Sequence, residues 1–316
     1  MVYKRLTALF IAVICLFSGC GIHSSPDTQL TVLTIGTADS GGTMYPVGSA
    51  IASVLSNDTV KINVGASSGS AMNIQNLTAG EVDLALVSGD TAYAAYIDPD
   101  RSGESLRAIA AVFVSQSTWI APVSTGAFYV HDLKGMRIGV GPQSSSTELS
   151  AQAAIQELGL DTSGTTVQNC GLGSGSESVL NGELDAIHGF SGPPINALFD
   201  LAQSIPCRIL RYTQDELDQI MAHNDFYVPT VLPAGTYSGQ YSDIDTFGVP
   251  CLLCVNASMD EELVYQLTAE LWQSREELIQ AHHSMSVMED DSFLYEDLLI
   301  PLHSGAERFY QDISKH

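Results

Sequence analysis

Short apolar runs alternate with amphipathic stretches along most of the chain. "LTVLTIGT", "VKINVGA", "VDLALVSGD" and "LRAIAAVF" read as strands, rich in aliphatic and β-branched residues and bounded by Gly, Asp or Ser. Between them, "YPVGSAIASVLS" has Pro46 near its start and "GSAMNIQNLTAG" is closed by Gly80, so both read as helices. "TAYAAYI" begins a third. A second set follows, with strands "MRIGVGP", "TTVQNCG", "DAIHGFS" and "CRILRYT". Helices "STELSAQAAIQELGL", "SESVLNGEL", "PPINALFDLAQS" and "DELDQIMAH" stand among them or follow, and "GLGSGSES" reads as flexible and polar. A Tyr-, Pro- and Gly-rich passage over residues 226–245 leads to a strand at "VPCLLCVNA". The remainder is expected to be helical, with "DEELVYQLTAELWQSREELIQAHHSM" as one helix and two shorter ones after it.

Alternation of this kind predicts the α/β class. Two units stand in sequence, and "SQSTWIAPVST" and "DIDTFGVPCLLCV" are extended segments suited to crossing between them. The expected organisation is a hinged clamp joined by two strands. Residues 30–119 and 250–316 form the first lobe and residues 120–249 the second, with a cleft at the strands' C-terminal ends.

Composition changes the picture in two ways. With 316 residues, 45% of them hydrophobic, the chain can bury two cores. The 12 Lys and Arg against 36 Asp and Glu give a net charge of −24, which repels nucleic acid and anionic membranes. At the start, Lys4 and Arg5 precede an apolar run over residues 6–17 that is too short to span a bilayer. The following "LFSGC" resembles a bacterial lipoprotein signal, which implies removal of residues 1–19 and lipidation of Cys20. Residues 20–29 then form a tether, and the mature chain is expected to be extracytoplasmic, lipid-anchored to the bacterial cell membrane. Cys170, Cys207, Cys251 and Cys254 remain, an even number that permits disulfides without fixing their connectivity, or four small buried residues.

Candidate chemistry gathers at four strand-to-helix turns: "GTADSGGTMYP", "GASSGSAMN", "VSGDTAY" and "GVGPQSSSTE". Each offers free N–H groups at a helix start, where an anionic group is favoured, and adds uncharged hydroxyl or amide donors. Capping explains any single Ser or Asp in such a place. Four turns of this kind together predict a small-molecule cleft. Asp90, and with it Asp39, could receive an ammonium group, which tilts the expectation towards an amino acid such as glutamate or glutamine. No Lys or Arg lies in the four turns. Arg208 and Arg211 flank a second-lobe strand, with surface placement expected.

Other chemistries fail on the same residues. "GVGPQS" lacks the third glycine of a dinucleotide turn, no GK[ST] exists for a P-loop, and "GFSGP" has Pro193 where a nucleophile elbow needs glycine. The eight histidines show no metal spacing, and His188 and His303 read as structural. No enzyme is predicted, and no cofactor or metal.

Six stretches in order, "TIGTADSGGTMYPVGSAIA", "GSAMNIQNLTAGEVDLALVSGD", "DLKGMRIGVGPQSSSTE", "NGELDAIHGFSGPP", "LPAGTYSG" and "PLHSGAERFY", resemble the TAXI-type solute-binding proteins of tripartite ATP-independent periplasmic (TRAP) transporters. The resemblance spans nearly the whole mature chain. It implies a periplasmic-binding-protein fold (type II) whose two lobes close over an organic anion or amino acid, and membrane permease subunits as partners. This chain departs from the family at Met44, at Ser88-Gly89-Asp90 and at residues 144–148, so its ligand preference can differ. The candidate ligand-binding residues are Gly41, Gly42, Thr43, Tyr45, Ser68, Asn73 and Asp90 on the first lobe. Ser145, Ser146, Thr147, Phe190, Tyr212 and Tyr227 complete the set on the second. The alternative function is a ligand-sensing or scaffold lipoprotein with no direct part in transport.

Overall fold

The computed structural model describes residues 30–98, 103–162 and 164–315. Its first unit runs β1 (Thr31–Gly36), α1 (Met44–Leu55), β2 (Val60–Gly65), α2 (Ser70–Ala79), β3 (Leu84–Ser88) and α3 (Gly89–Tyr96). The chain leaves this unit along β4 (Leu106–Pro122). The second unit comprises β5 (Arg137–Gly139), α4 (Ser146–Glu157), β6 (Thr166–Gln168), α5 (Leu172–Leu180) and β7 (Ala186–Ser191). It continues through α6 (Asn196–Ser204), β8 (Cys207–Ile209), α7 (Gln214–Ala222) and β9 (Val228–Leu232). β10 (Ile244–Asn256) leads back, and α8 (Glu261–Gln273), α9 (Arg275–Ala281) and α10 (Ser304–Ile313) finish the chain.

The strands lie in the order β2-β1-β3-β10-β4-β7-β5-β6, with β8 beside β4 and β9 beside β10. β1, β2 and β3 are parallel, as are β5, β6 and β7. The first set joins β10 through β3 and the second joins β4 through β7, and β4 and β10 pair antiparallel with each other. β4 pairs with β10 over its first part and with β7 and β8 over its last. β10 pairs with β9 at its start and with β3 at its end. The two crossover segments are thus parts of two continuous strands, 17 and 13 residues long, with "SQSTWIAP" ending β4 and "DTFGVP" near the start of β10.

Cores form on both sides of these strands. Ile109 and Phe113 of β4 join Leu33, Ile35, Val47, Ile51 and Leu86 in the first lobe. Trp119 joins Ile138, Val140, Phe190 and Phe247 in the second, while Ile120 faces the other side with Ile187 and Leu198. In β10, Cys251 packs on one face of the sheet and Cys254 on the other, as a strand's period of two requires. All four described cysteines are free thiols. Among the described residues, no helix is long and apolar enough to cross a membrane.

Three local expectations change. "GLGSGSES" is not loop, because α5 already starts at Leu172 and buries Leu172, Gly175, Ser176 and Val179 at helical spacing. Gly175 is needed there, since a Cβ would come within 2.7 Å of Cys170 Sγ and would overlap the Ile187 side chain. The long C-terminal helix breaks at Ser274, which ends α8 and begins α9. The Pro- and Tyr-rich passage contains β9, whose residues are mostly exposed and include Pro229, a combination tolerated at a sheet edge.

Candidate functional site

The turns after β1, β2 and β5 converge with the end of β7 on a cavity of about 50 Å³ between the lobes. By comparison, one water needs roughly 10–15 Å³. Gly42, Thr43, Ser68, Ser145, Ser146, Thr147 and Phe190 line it, together with Ala38, Asp39, Met44, Gly69, Ser70, Pro142, Leu172 and Ser191. Four helices begin at this space, since Met44, Ser70, Ser146 and Leu172 are the first residues of α1, α2, α4 and α5. At α1, α2 and α5 no side chain caps the helix start. Capping therefore does not account for the hydroxyls of the first two turns. At α4 it does account for Ser145, whose Oγ accepts from Glu148 N at 3.2 Å.

The lobes are in direct contact around the cavity. Thr43 Oγ1 donates to the Gly192 carbonyl at 2.5 Å. Ser146 Oγ donates to Ser70 Oγ at 2.9 Å and lies 2.9 Å from Thr91 Oγ1. Gly41 carbonyl accepts from Ala197 N at 2.9 Å, so Gly41 seals the edge of the closed cleft. A Cβ on Gly41 would stand 2.9 Å from Gly173 N and 3.2 Å from Ala197 Cβ, too near for the two backbones to meet as they do.

Several predicted residues serve the site from outside it. Asn73 Nδ2 donates to the carbonyls of Thr37 and Leu86 at 2.7 and 2.8 Å, and its Oδ1 accepts from Ser67, which ties the first two turns to β3. Tyr45 is 37% exposed on α1 and points away. Tyr212 lies in the second-lobe core, its hydroxyl between Ser117 Oγ at 2.9 Å and Trp119 Nε1 at 2.8 Å. Asp90 is buried behind Ser146 and Thr91 rather than in the cavity wall, and accepts from Thr91 N at 2.6 Å and Tyr227 OH at 3.2 Å. Burial raises its pKa above the ordinary 3.8, although hydrogen bonds from Thr91 and Tyr227 act against the rise. The Tyr227 ring packs edge-on to Phe190, 5.7 Å between centroids. Cys20 lies outside the described residues.

Asp39 is the charged side chain on the cavity wall. Its Oδ1 accepts from Gly41 N at 2.6 Å, and among the described residues no basic side chain lines the space. Arg208 and Arg211 are elsewhere, held by Ala127 O and Ser242 Oγ. Ser70, Ser191 and Leu172 were not singled out from sequence. Ser70 sits within a turn that was, and only the misread start of α5 concealed Leu172.

One serine–histidine pair tests whether the site could act on what it binds. Ser117 Oγ lies 3.0 Å from His188 Nε2, while His188 Nδ1 faces the Thr147 carbonyl at 3.1 Å. Neither Ser117 nor His188 lines the cavity, and Tyr212 occupies the same serine hydroxyl. Burial pushes His188 down to about 3, so it is neutral at physiological pH. The pair is a core hydrogen-bond network, as the histidine's structural reading anticipated. Among the described residues, no cluster of three metal-ligating side chains exists.

Comparisons with known proteins agree with this architecture. A family model described as the NMT1-like family matches residues 35–313. A solved structure from Bordetella bronchiseptica RB50 superposes with a TM-score of 0.53 at 17% identity, over 89% of each chain. The ligand-binding component of an ABC-type import system from Staphylococcus aureus, with zinc bound, gives 0.52 at 10% identity over 90% of each chain. The alkanesulfonate-binding protein of Xanthomonas axonopodis pv. citri, bound to MOPS, gives 0.51 at 14% identity, covering 90% of this chain and 84% of its own. At these identities the likeness is one of fold, the two-lobed periplasmic-binding-protein type.

Proposed function

The chain belongs to the NMT1-like family, and on that premise we propose that it is an extracytoplasmic solute-binding receptor. It captures a small organic anion or amino acid between its lobes and delivers it to a membrane permease. The observation that carries this reading is the convergence of four helix N-termini, three without side-chain caps, on one cavity walled by both lobes. Each N-terminus favours a nearby anion by about 0.3–1 kcal/mol in exposed settings and up to about 2 kcal/mol when partly buried. Dipoles and hydroxyls can thus hold a carboxylate or sulfonate without an ion pair. Contacts from both lobes also give a bound ligand the differential affinity that closure requires.

Asp39 refines the ligand. With Asp90 turned to Tyr227, Asp39 is the carboxylate placed to receive an ammonium group, which supports an amino acid, glutamate or glutamine among them. The sequence motifs support a TRAP-type permease as the partner. Two of the structures with this fold are an ABC-import component and an alkanesulfonate-binding protein, so sulfonates join the candidate ligands. The signal-like start supports export and a lipid anchor at Cys20, which mass spectrometry of the membrane fraction would test.

The deciding experiment is thermal unfolding of the chain from residue 21, screened against amino acids, dicarboxylates and sulfonates. A ligand at 100 times its Kd stabilises by about 2.7 kcal/mol. A shift with amino acids alone supports the Asp39 role, whereas a shift with dicarboxylates or sulfonates alone removes it. No shift with any class overturns the receptor reading in favour of a sensor or scaffold.

A further inference from the structure

One end of the second lobe brings together two arginines that, among the described residues, meet no carboxylate. Arg137, Arg275, Arg308 and Lys315 each meet a carboxylate. Among the described residues, Arg208 and Arg211 have no carboxylate partner at ion-pair distance, although the chain carries a net charge of −24. Arg208 donates to Ala127 O at 2.6 Å and lies over the Phe128 ring, 3.6 Å from its centroid. Arg211 donates to Ser242 Oγ at 2.5 Å. Phe128 is 55% exposed and Tyr241 is 92% exposed, an unusual state for an aromatic side chain.

Two cavities flank Tyr241, of about 260 and 580 Å³, and both are lined by Arg208, Gly239 and Tyr241. They therefore adjoin as one groove. Every residue along it belongs to the second lobe, and none lines the cavity between the lobes. β8 pairs with β4 at Ile120–Pro122, whereas the ligand cavity lies beyond the Gln116–Ser191 end of the β4–β7 ladder. The groove is thus at the far pole of the lobe, formed by residues that take no part in closing the cleft.

We propose that this groove docks an acidic segment of a protein partner. Carboxylates pair with the planar guanidiniums of Arg208 and Arg211, and an apolar side chain rests on Phe128 and Tyr241. Arg and aromatic residues are the types that anchor protein interfaces. A groove of two joined cavities suits an extended chain better than a single small anion. An anionic bilayer is a poor occupant, because each arginine contributes only about 1 kcal/mol near such a surface. The remaining charge of the chain opposes that approach.

The test is fluorescence anisotropy with a labelled, end-blocked hexapeptide alternating glutamate and leucine, titrated with the chain from residue 21, which carries every residue of the described fold. The glutamate peptide should bind, more tightly at low salt, and its lysine counterpart should not. Tyr241→Ala and Arg211→Glu should each weaken binding about tenfold, equivalent to 1.4 kcal/mol, with melting temperatures unchanged. Should Arg211→Glu fail to fold, Tyr241→Ala alters only a solvent-facing side chain and still decides. Equal binding of the two peptides, no binding, or indifference to Tyr241→Ala overturns the proposal. So does competition by free glutarate at equal potency, which marks a small-anion site, or stronger binding to phosphatidylglycerol vesicles than to peptide.

Discussion

Tyr227 on the second lobe donates its hydroxyl to the Asp90 carboxylate on the first, at 3.2 Å, and Thr91 also donates to that carboxyl. Among the described residues, no cation bears on it. Cys251, packed nearby, is itself raised by burial and by the charge of Asp90. The Tyr227–Asp90 hydrogen bond joins the lobes behind the cavity, beside the ring contact of Tyr93 with Phe226.

This arrangement has a pH signature. Because the folded-state pKa of Asp90 is raised above 3.8, the folded chain keeps a proton that the unfolded chain has released. The stability this confers is present below the unfolded value and is lost as pH rises through the folded one. Asp90→Asn, neutral at every pH, should melt higher than the parent at neutral pH, and the gap should narrow towards about pH 4. Melting curves across that range check it. A variant that melts lower at neutral pH would show that the charge itself is required.

His188 carries the opposite slope. Its folded value of about 3 lies below the ordinary 6.5. Its contribution to stability is therefore complete above pH 6.5 and declines as pH falls towards the folded value. The imidazole resonances of His188 should stay in their neutral positions from neutral pH down to about pH 4. A midpoint near 6.5 in the NMR titration would contradict its burial between Ser117 and Thr147.

Closure depends on a few hydroxyls. Ser146→Ala removes the bonds to both Ser70 and Thr91, and Thr43→Ala removes the one to Gly192. Each lost bond should cost about 1–2 kcal/mol, weakening ligand binding about 5- to 30-fold without unfolding the chain. Calorimetric titration with a ligand found in the thermal screen reads this directly. Unchanged affinities for both variants would sink the assignment of the cleft.

Gly41→Ala separates closure from folding. The added methyl meets the Gly173 backbone across the cleft, so affinity should fall far more than melting temperature does. Small-angle scattering should show a larger ligand-saturated radius than the parent's. An equal loss of both properties would mean that Gly41 is a folding residue instead.

Most of the architecture could be read from local pattern because each strand and helix carries its own period. β3 is apolar over residues 84–87 and α1 places Val47, Ile51 and Leu55 at helical spacing. The hinge strands were legible as extended segments, though β4's continuation from the first lobe into "SQSTWIAP" was not. The body of α5 is legible in "SESVLNGEL", but its first turn is not, because the buried face there passes through Gly175 and Ser176, whose small side chains carry no apolar signal. At the site, the turns could be found from glycine and hydroxyl content. Which side chain faces the cavity could not, since tertiary contacts decide it. Asn73 is drawn to Thr37 and Leu86 carbonyls, and Tyr212 to Ser117 and Trp119.

The place of β10 between β3 and β4 sets an order of assembly. β3 and β4 each pair with β10 but not with each other, and β10 ends only at Asn256. As synthesis proceeds from the N-terminus, the first lobe emerges early with its sheet split in two. It stays open until the last quarter of the chain arrives to fill the gap. The second lobe, later in sequence, has β5, β6 and β7 already in hand by then. A chain truncated before residue 244 would consequently expose two unpaired strand edges in the lobe that was made first, which is the kind of surface that recruits other chains.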